Sequence, residues 1–434
     1  MRFLREHLEF FLIPIVLFFC IFFAIKTTAS PQSFTSYENL LFDTSFVHKI
    51  NLDIPEDSYN LILKNPTEKI KYLASITIDG EKIDNVSIST QGNASLFNAA
   101  ASDSDRYNYK INFSRFIDDQ TYHGLDRLVL NNVYSEPSLL RNYISYWLAR
   151  ASGAEAPLAS FVELKINGEL KGLYLAIEGV NKSFLRRNDN AEDSVIYKPE
   201  PLAYNNFALD RYRKTLTEEE NARLDPDKLG LGGADLVFSG TEPSNYSAIF
   251  DNKVTKTSRA DDERVVRAIL SLSNKIDLEE YWDVDALIRY FVLQNLSGNW
   301  DSYIGAFYHN YFLKLNDGKL SIVPWDCDIM FQPTTEDFYD KSVFDDIDPA
   351  THPAWNVIKT SDEYLDRYHK VFQDFLDNYF TNHAVENELN RVWSLVEPYV
   401  DADRLGDVAD SYEELINIID RRVDSVQKEL WSLK

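Results

Sequence analysis

Two stretches decide how this 434-residue chain is read: N-W-D-S-Y-I-G-A-F-Y-H-N-Y-F-L, Asn299–Leu313, and K-L-S-I-V-P-W-D-C-D-I-M-F, Lys319–Phe331. Between them Asp317-Gly318 supplies the positive-φ turn of a tight hairpin, so Tyr308–Phe331 reads as two paired β-runs. Asp301 follows an apolar helical pattern over Asp283–Leu296, Asn310 opens one strand, and Asp326 closes the other. A tight hairpin brings its strand ends together, so Asn310 and Asp326 are expected to be neighbours, with Asp301 close by. Carboxylate, carboxamide and carboxylate at a loop edge suit a hard cation such as Mg²⁺, which takes oxygen ligands. A remaining carboxylate can position a hydroxyl nucleophile. The same residue types also cap turns, and spacing alone leaves both readings open.

Outward from this core, the first half of the chain alternates in short apolar runs. His48–Ile54 reads as a strand. Ala74–Ile78 and Ile83–Thr90 flank Asp79-Gly80 as a hairpin, Tyr107–Phe113 and Arg127–Leu130 give further strands, and Phe161–Ile166 with Gly172–Glu178 forms a second hairpin. Ser138–Ala151 has helical spacing and stops at Gly153. After Val180 the pattern becomes helical: Asp261–Ser273, Asp283–Leu296, and two or three helices in Tyr364–Leu433. The expectation is an α+β chain with a β-rich lobe over 47–180 and a mainly helical lobe over 181–434.

Composition narrows the partners. Forty-four Lys and Arg against 69 Asp and Glu leave a net charge of −25, which argues against nucleic acid as a general partner. An anionic ligand would then need local cations or metal ions. Only Cys20 and Cys327 are present, so neither a disulfide framework nor a zinc-type Cys/His spacing exists. Phe10–Ile25 is an uncharged apolar run preceded by Arg2 and Arg5, which reads as a signal anchor or a cleaved signal peptide within residues 1–30. Residues 31–46 read as a spacer, and the bulk of the chain is expected outside the cytoplasm, anchored to a membrane through the N-terminal hydrophobic helix.

The order of parts is that of protein kinases: a β-rich lobe with a Gly turn and a strand Lys, then a helical lobe with Asp, Asn and a second Asp at a hairpin end. The sequence resembles the spore-coat CotH kinases of bacteria, an atypical branch of the kinase fold, over most of residues 47–430. Besides the two stretches above, the resemblance rests on QGNAS (Gln91–Ser95), YKINF (Tyr109–Phe113), EPSLLRNY (Glu136–Tyr143), INGELKGLYLAIEGVN (Ile166–Asn181) and IYKPE (Ile196–Glu200). It implies a two-lobed, kinase-like fold and transfer of the ATP γ-phosphate to proteins with Mg²⁺ or Mn²⁺. It gives Asp301 the acceptor hydroxyl, Asp326 the metal, and Asn310 a second metal contact. Asp328 stands where the family has Asn, which adds an oxygen anion beside that metal. Gly92, Asn93 and Ser95 fall in the phosphate loop. Lys110, with Lys198 as its competitor, faces the α/β-phosphates, and Glu178 is suited to contact adenine. The family's strand before the glycine reads R-x-K-G-N, whereas Ser89 and Gln91 stand at the basic positions here.

The leading expectation is therefore an extracytoplasmic kinase acting on Ser/Thr of surface or envelope proteins. A catalytically weak kinase-fold adhesin or envelope scaffold is the alternative, suggested by the uncharged phosphate loop.

Overall fold

The computed structural model describes residues 36–432, except 93, 102–103, 134–135, 190–192, 201–233, 306–307, 334–336, 346 and 348–349. Seven strands whose residues alternate between interior and exterior form a closed barrel: β1 (His48–Asp53), β2 (Tyr72–Ile78), β3 (Glu81–Gln91), β4 (Asn108–Asn112), β5 (Arg127–Asn131), β6 (Ala159–Ile166) and β7 (Glu169–Glu178). Their order around the barrel is β1-β2-β3-β4-β5-β7-β6. Neighbours are antiparallel except β1 and β6, which pair in parallel with Ile50 opposite Leu164. Ile50, Ile76, Ile88, Ile111, Leu128 and Leu164 meet inside, as period-2 alternation dictates.

Two short helices decorate the barrel, α1 (Glu56–Lys64) and α2 (Ala94–Ala101). Neither was anticipated from the sequence. The expected spacer needs correction over its described part. Tyr37, Leu41 and Phe42 are buried with the barrel core, the Tyr37 hydroxyl donates to Glu178 Oε1 at 2.6 Å, and Ser160 Oγ donates to the Leu41 carbonyl at 2.5 Å. This segment belongs to the fold.

The second half packs helices around a small sheet. They are α3 (Arg141–Ala151) and α4 (Lys182–Asp189) beside the barrel, α5 (Arg259–Asn274), α6 (Val284–Ser297), α7 (Pro353–Thr360), α8 (Asp362–Leu376), α9 (Ala384–Val396) and α10 (Leu405–Ser432). The sheet has the order β10-β9-β8, with β8 at Val195–Tyr197, β9 at Tyr311–Asn316 and β10 at Lys319–Pro324. The α6 helix begins at Asp283, whose side chain accepts from Ala286 N, and ends at Gly298 with φ +59°. Arg422 from α10 is buried and donates to the carbonyls of Asn295, Leu296, Tyr339 and Lys341. A cation on the last carbonyls of α6 complements the helix dipole and fixes where the chain leaves toward Asp301.

Among the described residues no helix is long and apolar enough to cross a membrane. The run Phe10–Ile25, which carried the expected N-terminal hydrophobic helix, lies outside them.

Candidate functional site

A cleft of about 650 Å³ separates the barrel from the helical half. Its barrel wall is built in rungs set by strand register. Ser89 of β3 lies opposite Lys110 of β4, which lies opposite Val129 of β5. One rung along, Gln91 lies opposite Asn108. Because Tyr109 and Ile111 point into the barrel, Asn108 and Lys110 point out toward the cleft. Gly92, at φ +106°, turns the chain from β3 into α2, and Ser95 joins it in the lining. Asn93 lies outside the described residues.

The opposite wall comes from the β9–β10 hairpin and the end of α6. Tyr311 pairs with Pro324, and Trp325 N donates to the Asn310 carbonyl at 3.1 Å, so the hairpin brings Asn310 and Asp326 together. Asn310 Nδ2 donates to both the carbonyl and Oδ2 of Asp301, each at 2.9 Å. That commits its nitrogen and leaves its amide oxygen for the cleft. His309 Nε2 bonds Asp301 Oδ1 and also lines the cleft, a partner that the sequence reading did not assign. The signal was present in Y-H-N-Y, but a lone His carries little weight until the register is known.

The Asp326–Asp328 loop is anchored on α3. Tyr146 Oη accepts from Asp326 N at 3.0 Å, and Asn142 Oδ1 accepts from Cys327 N at 3.3 Å. Asn310 and Asp326 both hold left-handed backbone, at φ +55° and +53°, which Asn and Asp tolerate better than most residues. Burial, and then the charge of Asp301, raise the Asp326 carboxyl above the ordinary range, against the pull of Lys198 and His309. The Asp328 carboxyl is pushed well up by burial, with Asp326, Asp301 and Glu136 adding to it.

Asp326, Asp328 and the Asn310 oxygen give an all-oxygen donor set, and the neighbouring Asp301 carboxylate adds to the repulsion among the acids. A hard dication relieves that repulsion, so the residues fit Mg²⁺ or Mn²⁺. Among the described residues no group of three His, Cys, Asp or Glu could by itself hold a metal. Mg²⁺ usually completes its shell with water and substrate phosphates, so a closed protein cage is not required.

Cations face these acids. Lys69, Lys71, Lys110, Arg127 and Lys198 all line the cleft, against Glu200 as the one carboxylate besides the three aspartates. Lys198 is ion-paired with Glu200. Among the described residues the side chains of Lys110 and Arg127 make no hydrogen bond or ion pair, and Arg127 Nε is buried without a partner. Burial, with Arg127 and Lys198 nearby, lowers Lys110 to about 8. Sequence reasoning found Lys110 and Lys198 and missed Lys69, Lys71 and Arg127, which join the site only through barrel closure.

Glu178 is placed elsewhere. It is fully buried, paired with Arg187 at 2.7 Å and accepting from Tyr37, and its side chain does not line the cleft. The expected adenine contact through its carboxylate is thereby corrected: the group ties β7 to α4. Breaking such a buried pair costs about 3–5 kcal/mol.

Gly305 closes the turn behind Asp301. A Cβ there would sit 1.5 Å from the Trp300 carbonyl oxygen. Gly305→Ala is expected to lower stability by about 1–3 kcal/mol or more, because backbone and not a flexible side chain must yield. Chemical denaturation giving an unchanged midpoint would show that the turn relaxes freely.

The family model described as CotH kinase protein matches residues 88–426, which include every lining residue except Lys69 and Lys71. The protein is thus kinase-like, with a mixed α+β fold. It belongs to the CotH kinase family. Inner spore coat protein H of Bacillus subtilis (strain 168) is 24% identical over 297 residues, covering 66% of this chain and 72% of that protein. Two solved structures align at a TM-score of 0.31, too low to bear on the site. One is a proinflammatory kinase, CtkA, of Helicobacter pylori, with 11% identity over 75% of this chain and 94% of that one. The other is a complex of the toxin–antitoxin system HipA and HipB with operator DNA from Shewanella oneidensis MR-1, with 14% identity over 86% and 81%.

Proposed function

We propose that the protein is a two-lobed, ATP-dependent protein kinase that transfers the γ-phosphate to Ser or Thr of surface or envelope proteins, with Mg²⁺ or Mn²⁺. The observation that carries this reading is one cleft with a cationic wall facing an oxygen-donor wall, in a chain of net charge −25. Phosphoryl transfer needs mainly placement and electrostatic stabilisation, and this wall arrangement provides both. A bound dication would supply charge neutralisation at the phosphates, held by Asp326, Asp328 and the Asn310 oxygen. Asp301, fixed by His309 and Asn310, orients the acceptor hydroxyl and takes its proton. Lys110 and Lys198 contact phosphate, while Gly92, Asn93 and Ser95 approach it from the loop after β3. A purely scaffolding protein has no use for unpaired Lys110 and Arg127 opposite three acids, so the adhesin reading is second. Envelope location accords with the spore-coat relative, and the Phe10–Ile25 run would supply a membrane tether that surface proteolysis of intact cells can test. The direct test is incubation with labelled ATP and Mg²⁺ or Mn²⁺. Label reaching a protein acceptor supports the kinase; nucleotide binding without transfer under either metal supports the scaffold.

The charge state of Lys110 gives a further expectation. In the free protein it loses its proton near 8, against 10.5 in the unfolded chain. Between these values the unfolded chain binds more protons, so Lys110 makes the free protein more stable as pH rises from about 8 to 10.5. Polyphosphate favours the protonated form, so nucleotide affinity should fall as pH rises above 8, and binding at pH 8.5 should take up a fraction of a proton. Calorimetry in buffers of different ionisation heat reads this uptake. Lys110→Met should abolish it, and its persistence in that variant would move the proton to another group.

A further inference from the structure

We propose that Lys69 and Lys71 grip the outer phosphates of the bound nucleotide, supplying the charge that Ser89 and Gln91 of β3 do not. The proposal rests on reading the cleft as a nucleotide site. Its carrying observation is that both lysines line the cleft on a segment tied to the end of β3. In the β2–β3 pair Tyr72 lies opposite Ile88 and Leu73 opposite Ser87. That ladder begins at Tyr72, Lys71 and Lys69 lie on the approach to it, and Ser89 and Gln91 of β3 carry no charge. All four residues line the same cleft. Charge absent from the end of β3 is therefore supplied to the cleft by the segment that leads into β2.

The approach to β2 is held in place. Thr90 Oγ1 donates to the Pro66 carbonyl at 2.6 Å, Pro66 is buried, and Lys69 turns the chain at φ +52° before β2 begins. The Lys69–Lys71 segment is thus fixed against the end of β3 that leads into Gly92. Solvated lysines placed at random would not be tied to the strand that carries the phosphate loop. Neither lysine falls within the residues that the family model matches.

The test measures ATP, ADP, AMP and adenosine binding to the full chain by calorimetry, with and without Mg²⁺. Lys69→Met/Lys71→Met should weaken ATP by roughly 10–100-fold and AMP by less than about threefold, because each lost charge-assisted bond is worth about tenfold. Adding Ser89→Arg/Gln91→Lys to the double variant should restore at least half of the lost affinity on a logarithmic scale. Equal loss for ATP and AMP, or no recovery in the fourfold variant, overturns the proposal. A wild type that binds none of the four ligands overturns the nucleotide reading itself, and this proposal with it. Thermal unfolding of each variant identifies any that has lost its fold, and for those the single variants Lys69→Met and Lys71→Met carry the same comparison.

Discussion

Asp326→Ala is expected to leave a folded protein that ATP and Mg²⁺ no longer protect against heat. In the wild type, ligand at a hundred times its dissociation constant adds about 2.7 kcal/mol to stability, which moves the melting temperature by a few degrees in a chain of this size. Asp326 is central to the donor wall, and losing its carboxylate removes the strongest attraction for a dication at the phosphates. Its contribution to the core is small, since its backbone is fixed by Tyr146 and its side chain is repelled by Asp301. Alanine at φ +53° costs roughly 1–2 kcal/mol, whereas Asn tolerates that conformation and serves as the control. Both variants should lose the metal-dependent shift, and label transfer with it. If ATP and Mg²⁺ stabilise Asp326→Ala as much as wild type, the metal lies elsewhere.

Asp301→Asn should separate turnover from binding. The amide keeps the size of the carboxylate and can still meet His309 and Asn310, but it cannot accept the acceptor's proton. General-base removal of this kind costs about 10²–10⁴-fold in rate. Nucleotide affinity should change by less than about threefold, because the residue faces the acceptor and not the phosphates. Single-turnover label transfer beside calorimetric ATP titration reads both quantities. Equal losses in the two would make Asp301 a metal ligand.

The site's helical side was legible because its chemistry is local. Asp301, Asn310 and Asp326 are brought together by one hairpin with an Asp-Gly turn, and a hairpin's register can be read from its turn. The cationic wall was only half legible. Lys110 sits in a recognisable alternating strand, but Lys69 and Lys71 reach the cleft only through pairing of β2 with β3, and Arg127 only through pairing of β5 with β4 and β7. Glu178 shows the opposite failure. Its position at the end of β7 was read correctly, yet its buried partner Arg187 lies on α4, a helix of eight residues whose only apolar side chains are Phe184 and Leu185. Helices α1 and α2 escaped for the same reason, being short and secured by tertiary packing. The plugging of the barrel by Tyr37, Leu41 and Phe42 could not be seen before the barrel itself was known.

The parallel seam between β1 and β6 also governs the order in which the chain can fold. Beyond the end of that seam, Asn167 clasps the backbone of Ile54, 113 residues earlier, through both its amide oxygen and its nitrogen. During synthesis β1 to β5 emerge first and can pair only as an open meander, with β1 waiting as an unpaired edge. Closure must await the last hairpin, so the slow step belongs to an encounter across more than a hundred residues and not to any local turn. Until then the exposed edge is a template for pairing with another chain. A nascent or stalled chain ending before Ile166 should therefore be the aggregation-prone species, whatever the stability of the finished barrel.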